Sequence, residues 1–600
     1  MKSWPAKALL LASACAALAL PALGQDTPES LLPPGFGDPE TLPPPEKATP
    51  TPRTPQQQQA TPGSPTAPAP GVDDPAANAL VDLEEVELDQ MLRPRPSNYF
   101  SIPAGVERPV EIVGMLEPGS TGLAPDAFGP DRGGFSSALM RRLDAPLPSR
   151  WASILLRRAL LSRLRAPAGV HPVDFVAERA GLLLRMGEAD AARMLVQGVD
   201  AENYTPRMIE VAGQTALATA DPAALCPLVG PARARSRDTV WILADGMCAA
   251  LEGEAARATA LIDQARNQSG TSIDLLLAEK VVGAGEQSRR SVEIEWDGVE
   301  SINDWRFGLA SATGVPIPER LRENTPPHII AWMARAPMLP LEDRLEAAAT
   351  AATLGVFSSS ALVDLHSLML DQLGEADSEG TVGARLRTAW TGGSVEDRLA
   401  ALRELWSGDE TARRQGYARL IMTAGAAARI PATSEHGEDA ANLIAALLSA
   451  GMDQEAARWA AVVEEGGESD RAWAMLALGA PRAVVGVDNG RIGAFADDSE
   501  GGVRRQLLVA GLAGLGRIDE GQATSAGFSP GPETGWSRAL ARAVQERRPG
   551  QVALLAAIGM QTGGWDGVPP AHLYRIVRAL REAGLEFEAR MIAAEAVARL

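Results

Sequence analysis

The residues that could do chemistry in this sequence are few and lie far apart. None of the histidines belongs to an HxH, HxxxH or HExxH pattern, the spacings that bring two imidazoles to one metal ion. The chain also lacks a GxxxxGKS or GxxxxGKT phosphate loop, and Lys280 is its only lysine after residue 75. The sequence therefore predicts no metal site, no cofactor and no catalytic residue. The histidines are His171, His328, His366, His436 and His572.

One pentapeptide has the spacing of a serine nucleophile but not its surroundings. Gly527–Gly531 reads GFSPG, a GxSxG pattern. A nucleophile of this type needs a strand before the serine and a helix that opens directly after it. Small polar residues precede this serine, and Pro530 and Pro532 follow it. We therefore expect a loop between two helices here.

Two Glu-Ser pairs raise the question of a cell-wall enzyme. Glu468–Ser469 and Glu300–Ser301 resemble the catalytic Glu-Ser of bacterial lytic transglycosylases, which can carry an exported helical superhelix. The GLMQ-like stretch of that family is absent soon after both pairs, and the faint likeness at Gly559–Thr562 lies 90 residues beyond Ser469. We expect Glu468–Ser469 to begin a helix, with a peptidoglycan-active enzyme of this type kept as an alternative.

The cysteines favour a structural role over a catalytic one. Cys226 and Cys248 are the only cysteines after the N-terminal segment. In an oxidising compartment an isolated pair is a disulfide candidate, and closing this loop would stabilise the fold by roughly 3 kcal/mol. Trp241, Met247 and Cys248 share one helical face, which turns Cys248 toward the preceding helix. Two buried free thiols are the alternative.

The first 24 residues have the layout of a secretory signal peptide. Lys2 and Lys7 lie before the apolar run Ala8–Leu20 and form a short basic region. The small residues Ala22 and Gly24 occupy the positions that a signal peptidase recognises. We expect cleavage directly after residue 24. An uncleaved anchor is disfavoured because thirteen apolar residues make a helix of only ~20 Å, against a hydrocarbon core of ~30 Å.

Lipid anchoring is a second alternative at this end of the chain. It would use Cys15, but Ala12 stands where lipidation sites usually have a larger aliphatic residue. Of the 56 basic residues only four are lysines, and this excess of arginine is typical of a GC-rich bacterium. We therefore expect the protein in the periplasm, with lipoprotein anchoring less favoured.

A proline-rich segment separates this leader from the rest of the chain. Residues 25–75 contain fifteen prolines in 51 residues and almost no apolar side chains. Such a segment is expected to be extended and disordered, and it could reach ~150 Å. It predicts a tether for the folded part or a solvated spacer without a partner.

Overall composition excludes two classes of protein. The 600 residues carry a net charge of −20, whereas binding to nucleic-acid phosphates needs a basic surface. No apolar run beyond the N-terminus approaches the length of a membrane span, so an integral membrane protein with several spans is excluded. The apolar fraction of 46% can bury a large core.

The remaining sequence predicts an all-α fold. Residues 76–148 are expected to be irregular, with a short acidic helix over Ala79–Leu88 and one strand candidate, Pro109–Val113, which alone makes no sheet. From Trp151 onward helix formers dominate and β-branched runs are scarce. Capping patterns mark helix starts at Thr205-Pro206, Asp221-Pro222 and Ser394 with Asp397.

A recurring turn pattern supports stacked helical hairpins. A glycine is followed five residues later by an alanine, and Gly187 to Gly253, Gly451 to Gly516 and Gly516 to Gly584 are 66, 65 and 68 residues apart, each close to two hairpins. Glycine can end a helix at positive φ, and alanine lets the next helix approach closely. The copies are Gly187/Ala192, Gly253/Ala258, Gly451/Ala456 and Gly584/Ala589, with a weaker one at Gly516/Gly521.

These segments resemble tetratricopeptide or Sel1-like repeats, whose second-helix alanine follows the turn glycine at this spacing. The resemblance implies an α-solenoid of antiparallel hairpins with a concave surface that binds peptides or proteins. The first helices depart from the family, because Val176 and Leu183 fill aromatic positions in one copy and Ile242 and Ala249 fill them in the next.

The hairpin pattern predicts two arms and a junction. The arms are residues 149–290 and 336–600, and the junction is residues 291–335, where the rhythm breaks and tryptophans concentrate. The junction's large aromatic residues are Trp296, Trp305, Phe307 and Trp332.

One basic amphipathic helix stands out in this acidic chain, over residues 149–165. Its arginines could contact anionic lipid headgroups or an acidic partner, or they could be paired with acidic neighbours in a capping helix. They are Arg150, Arg157, Arg158, Arg163 and Arg165.

Together these patterns predict an exported, non-enzymatic α-solenoid that binds a protein or peptide partner or serves as a scaffold in the cell envelope. It is expected to bind no nucleic acid and to meet a membrane at most at its surface. A passive structural spacer is a further alternative.

Overall fold

The computed structural model describes residues 106–129, 134–285, 292–407, 413–467, 470–497 and 499–600. They all belong to one compact unit, Pro75–Leu600. The predicted signal peptide (1–24), the proline-rich linker (25–75) and the predicted helix Ala79–Leu88 lie outside the described residues. So does Glu468–Ser469.

Helices are almost the only regular secondary structure of the described residues, which confirms the all-α class. The first helices are α1 (Phe135–Arg142), α2 (Arg150–Leu161), α3 (Pro172–Arg185), α4 (Ala189–Val196), α5 (Pro206–Ala218), α6 (Cys226–Arg233), α7 (Thr239–Leu251), α8 (Ala255–Ser269), α9 (Ile273–Gly285), α10 (Asp304–Thr313), α11 (Glu319–Glu323) and α12 (Pro327–Arg335).

The second half of the chain continues in the same way. Its helices are α13 (Leu341–Thr353), α14 (Ser359–Gln372), α15 (Glu375–Ser378), α16 (Val382–Thr391), α17 (Val395–Trp406), α18 (Arg413–Ala427), α19 (Ala440–Ser449), α20 (Asp453–Ala457), α21 (Ala460–Gly466), α22 (Arg471–Gly479), α23 (Asn489–Ala494), α24 (Val503–Leu515), α25 (Glu520–Ser525), α26 (Gly535–Gln545), α27 (Pro549–Ile558), α28 (Pro570–Glu582) and α29 (Glu586–Ala598).

Five short 3₁₀ turns link some of the described helices. They are Ala201–Asn203, Pro222–Leu225, Ser434–Asp439, Glu500–Gly502 and Trp565–Gly567. Within the described residues, no helix combines the length and the apolar character needed to cross a membrane.

The region 76–148 is more ordered than the sequence indicates. It contains helix α1, and the single strand candidate does find a partner: β1 (Ile112–Val113) pairs antiparallel with β2 (Leu164–Arg165). Ile112 lies opposite Arg165 in this ladder. The expectation of an unpaired strand was wrong because its partner lies about fifty residues away, inside the stretch predicted as helix 149–165, which in fact ends at Leu161.

The residues predicted to cap helices do form caps. The Thr205 side chain accepts from the backbone N–H of Met208, and Ser394 and Asp397 form a reciprocal capping box. Asp221 also caps, but it opens the 3₁₀ turn Pro222–Leu225, after which α6 follows.

The glycine–alanine turns are confirmed in all four strong copies. Their glycines have φ between 80° and 88°, which side chains with a Cβ rarely adopt. Each alanine five residues later is fully buried between helices. At Gly451 a Cβ would also lie 2.8 Å from the Trp151 ring, so this turn needs glycine for its close approach as well.

Helix α2 contacts helices from distant parts of the chain. It packs against α3, which follows it in the chain, and also against α27 and α29 near the C-terminus. Helical repeats that only stack in sequence contact their neighbours alone. Helices near the two ends of the described unit therefore contact each other directly.

A carboxylate from the last helix holds the start of α2. Glu595 is buried in α29, and its oxygens accept hydrogen bonds from Ser149 Oγ at 2.6 Å, Arg150 N at 2.9 Å and Trp151 N at 3.2 Å. The first N–H groups of a helix have no partner inside the helix and carry partial positive charge, so a carboxylate is favourable there. Arg599 also pairs with Glu595, at 2.8 Å.

Arg150 joins the same helix end to two further hairpins. Its side chain is 4% exposed and donates to the carbonyls of Ser449 at 3.2 Å and Phe357 at 2.9 Å, and to that of Ala352. Ser449 and Ala352 lie at the carboxyl ends of α19 and α13, where helix carbonyls lack partners. Burial lowers the pKa of Arg150 below its usual value.

A second buried guanidinium fixes the small sheet. Arg179 is completely buried and donates to the carbonyls of Leu160 at 2.8 Å, Val113 at 2.9 Å and Ser162 at 2.7 Å. These atoms belong to the end of α2 and to β1. Desolvation lowers the pKa of Arg179 to about 9.

The large aromatic side chains of the predicted junction are buried in the described structure. Trp305, Phe307 and Trp332 lie in α10 and α12 and are each less than a tenth exposed, as is Trp296 in the loop before α10. The indole of Trp296 donates to the Pro316 carbonyl at 3.0 Å. The indole of Trp305 likewise donates to the Asp274 carbonyl at 3.0 Å, whereas the buried N–H of Trp332 has no hydrogen-bond partner among the described residues.

We expect Glu595→Ala to lower the free energy of unfolding by about 3 kcal/mol, because it removes the N-terminal cap of α2 and leaves buried guanidinium groups without their carboxylate. Glu595→Gln should cost less, since its amide oxygen still accepts from the helix N–H groups. The urea unfolding midpoint followed by circular dichroism measures both.

The matched control is Glu404→Ala, which removes an exposed partner of Arg385 and should shift the midpoint by less than about 1 kcal/mol. Equal shifts for Glu595→Ala and Glu404→Ala would contradict a special role for the α2 cap.

Candidate functional site

A groove of about 640 Å³ opens among the helices that precede the C-terminus. It lies between α25, α26 and α28, with the loop 526–534 at one side. Its volume falls in the range of ligand-binding clefts in proteins. Its main lining residues are Ile518, Asp519, Glu520, Ala523, Thr524, Phe528, Glu533, Leu540, Ala541, Val544, Gln545, Tyr574, Arg575, Arg578, Ala579 and Glu582.

A short helix, α25, forms one side of the groove. It has six residues, whereas the helices after the Gly253 and Gly584 turns have 15 and 13, and those after the Gly187 and Gly451 turns have eight and five. Asp519 and Gln522 start α25 with a reciprocal capping box. The chain leaves the helix at Gly527, with φ 82°, and enters the sequence Ser-Pro-Gly-Pro, whose prolines lack the N–H groups that a helix needs.

Two contacts hold the loop in place. Arg575 of α28 donates through Nη2 to the carbonyls of Gly531 and Pro532, each at 3.0 Å. Phe528 is 9% exposed, and its ring centroid lies 5.5 Å from that of Tyr574 in a tilted arrangement. The loop is therefore a wall of the groove and not a loose cover.

The floor of the groove is apolar. Leu540, Ala523 and Ala579 are each at most 5% exposed, and Val544 and Tyr574 are half-buried beside them. Small or polar residues stand at the mouth, where Thr524, Ala541 and Gln545 are exposed. Placing an apolar side chain on this floor would be favourable because it removes apolar surface from water.

The rim carries an excess of negative charge. Four carboxylates line the groove against two guanidinium groups, which leaves two negative charges. Arg578 is paired with Glu582 at 2.8 Å and donates to the Tyr574 hydroxyl at 3.1 Å, and these bonds raise the pKa of Arg578. Within the described residues the side chains of Glu520 and Glu533 form no ion pair or hydrogen bond.

The GxSxG pattern belongs to this groove. The structure confirms that Gly527–Gly531 is a loop between two helices, here α25 and α26. Ser529 is exposed, and its Oγ accepts only from the Gly531 N–H, at 3.5 Å. The groove was not predicted from the sequence. The signal that could have indicated it is a short helix followed by a proline–glycine loop between apolar helices.

The predicted disulfide is confirmed. Cys226 and Cys248 are bonded, with their Cα atoms 5.5 Å apart. The bond ties the first residue of α6 to the buried face of α7, where Cys248 and Met247 have no exposed surface.

Three of the five predicted surface arginines point inward. Arg150 is buried in the cap described above, Arg157 pairs with Glu188 at 2.6 Å, and Arg158 pairs with Glu588. The structure thus matches the alternative of arginines paired with acidic neighbours. The charge of α2 is used to fix other helices, so it does not form a basic face.

The other two arginines lie beyond the end of α2. Arg163 pairs with Glu117 at 2.7 Å, and both side chains are exposed. Arg165 is exposed on strand β2.

The histidines stay apart, and among the described residues no group of three His, Cys, Asp or Glu side chains is placed to hold a metal ion. Burial lowers the pKa of His328 and of His366 to about 4 in each case. Glu300–Ser301 lies in the loop before α10, at a shallow depression away from the groove.

A scan against protein-family models matches no family, and searches of the curated proteins and of the solved structures find no similar chain.

We expect the double variant Cys226→Ala, Cys248→Ala to lose about 3 kcal/mol of unfolding free energy, because opening the cross-link restores conformational entropy to the unfolded chain. Urea unfolding with and without dithiothreitol measures the loss. Reductant should shift the midpoint of the parent protein and leave that of the double variant unchanged. A parent midpoint that does not respond to reduction would contradict a stabilising disulfide.

Proposed function

We propose that this chain is an exported bacterial α-solenoid that binds a segment of a partner polypeptide in the groove between α25, α26 and α28. Residues 1–24 direct it to the periplasm and are removed there. Residues 25–75 form a proline-rich tether between the mature N-terminus and the helical unit.

The groove is the observation that carries this proposal. It combines a buried apolar floor, a charged rim and a wall held by Arg575, the features by which proteins bind peptides with both affinity and orientation. The glycine–alanine hairpin turns, which resemble tetratricopeptide or Sel1-like repeats, support the same class of function.

The disulfide supports an oxidising compartment. Structural disulfides persist in secreted and periplasmic proteins and are rare in the cytosol. The Cys226–Cys248 bond is therefore consistent with the export that the N-terminal layout predicts.

Export makes a direct prediction about the mature chain. We expect protein isolated from the periplasm of the producing bacterium to begin at Gln25, because the small residues Ala22 and Gly24 fit signal peptidase. N-terminal mass spectrometry of the fractionated protein measures this. A chain that begins at Met1 in the cytosol, or at a lipidated Cys15, would contradict it.

Binding in the groove can be tested by photo-crosslinking in living cells. With p-benzoylphenylalanine in place of the exposed Thr524, we expect covalent adducts to a defined polypeptide, identified by mass spectrometry of the linked peptide. Ala541→Trp in the same chain should remove those adducts, because the indole fills the groove from its opposite wall.

The matched control is Ala256→Trp, the same substitution at an exposed position of α8 outside the groove. It should leave the adducts intact. Adducts that survive Ala541→Trp, or no adducts at all, would overturn binding in this groove.

A further inference from the structure

Each helical wall of the groove is long enough to pack along two turns of another helix. The lining residues of α26 run from Ser537 to Gln545 and those of α28 from Tyr574 to Glu582. Eight steps at 1.5 Å per residue make each wall about 12 Å long, or two helical turns. α25 contributes only six residues to the groove, so these faces of α26 and α28 stay accessible along it.

The chemistry of the groove also fits a helix better than a strand. Adding a strand requires an exposed sheet edge, and the only sheet of the described residues is the two-residue pair β1–β2, which lies outside the groove. A helix instead places side chains three and four residues apart on a common apolar surface, and Leu540, Val544 and Ala579 provide that surface.

The charges indicate which helix would fit. Among the described residues no cation pairs with the carboxylate of Glu520 or Glu533, while Arg578 is paired with Glu582. The whole chain adds an attractive field for cations through its net charge of −20. Lysine or arginine beside the apolar stripe would therefore find partners at the rim, whereas acidic residues there would be repelled.

We propose that the groove binds a basic amphipathic α-helix of the partner polypeptide, with aliphatic side chains on the floor and lysine or arginine side chains facing Glu520 and Glu533. This rests on the proposed function and names the chemistry of its partner. The bound helix lies along the faces of α26 and α28 that line the groove.

The probe is a fluorescein-labelled synthetic peptide of about 15 residues, long enough to form a helix in water when rich in alanine. It is built from leucine, alanine and lysine, with the leucines on one helical face. Three relatives accompany it: one with glutamate in place of lysine, one with the leucines scattered around the helix, and one with a central proline that prevents a helix. Fluorescence anisotropy with the purified full chain gives each dissociation constant.

We expect the lysine peptide to bind at least ~10-fold more tightly than each of the three relatives, a difference of about 1.4 kcal/mol. Ala541→Trp should weaken its binding by ~10-fold or more, because the floor is no longer accessible. The double variant Glu520→Gln, Glu533→Gln should weaken it by a similar factor and reduce its dependence on salt.

The matched control for charge is the double variant Glu319→Gln, Glu323→Gln, which removes two exposed carboxylates from α11, outside the groove. It should change the dissociation constant by less than ~2-fold. If it weakens binding as much as the groove variant, the peptide follows only the overall charge and the proposal is overturned.

The peptide series separates this inference from the proposed function. If the proline peptide binds as tightly as the helical one, or the glutamate peptide binds better, helix or charge recognition is wrong. If adducts form at Thr524 in cells while no helical peptide binds, the partner has another chemistry and only the inference fails. If neither adducts nor peptide binding depend on Ala541, both fail.

Discussion

A buried carboxylate at a helix start determines how this chain is arranged. Glu595 accepts from the N-terminal N–H groups of α2 across 445 residues of sequence. Such a group would be costly to bury alone, but here the helix end supplies partial positive charge and Arg599 supplies a full one. The interaction is favourable only when the last helix lies against α2. It therefore specifies a contact between the two ends of the helical unit that stacking alone would not produce.

Arg150 extends this constraint to the middle of the chain. A guanidinium has five N–H donors, and that of Arg150 donates to carbonyls at the ends of α13 and α19. α2 thereby orients hairpins that are separated by hundreds of residues. The groove depends on the same arrangement, because α28 packs on α29, the helix that carries Glu595, and α28 forms one of the groove walls.

Local features of this fold could be predicted from sequence, and contacts between distant segments could not. The turn at Gly187 and the capping box of Ser394 depend on residues within one turn of each other, so their patterns suffice. The Cys226–Cys248 pair was predictable because few other cysteines compete. Glu595 looks like any acidic residue of a helix, and nothing near it reveals that Ser149 is its partner. For the same reason the arginines of α2 looked like a surface feature: their partners, such as Glu588, are remote in sequence.

The groove depends on both local sequence and distant contacts. Its origin is local, since the Ser-Pro-Gly-Pro sequence that argues against a serine nucleophile also prevents α25 from continuing. Its walls are not local, because Tyr574 and Arg575 come from a helix some fifty residues later. The loop is held by hydrogen bonds from Arg575 to two of its carbonyls and by the Tyr574 ring against Phe528, which is more than a connection between two helices requires. These contacts keep the space beside α26 open, since they fix the loop against α28 and stop it from collapsing onto Leu540 and Val544. The short helix and the anchored loop together leave an apolar surface open beside α26 and α28.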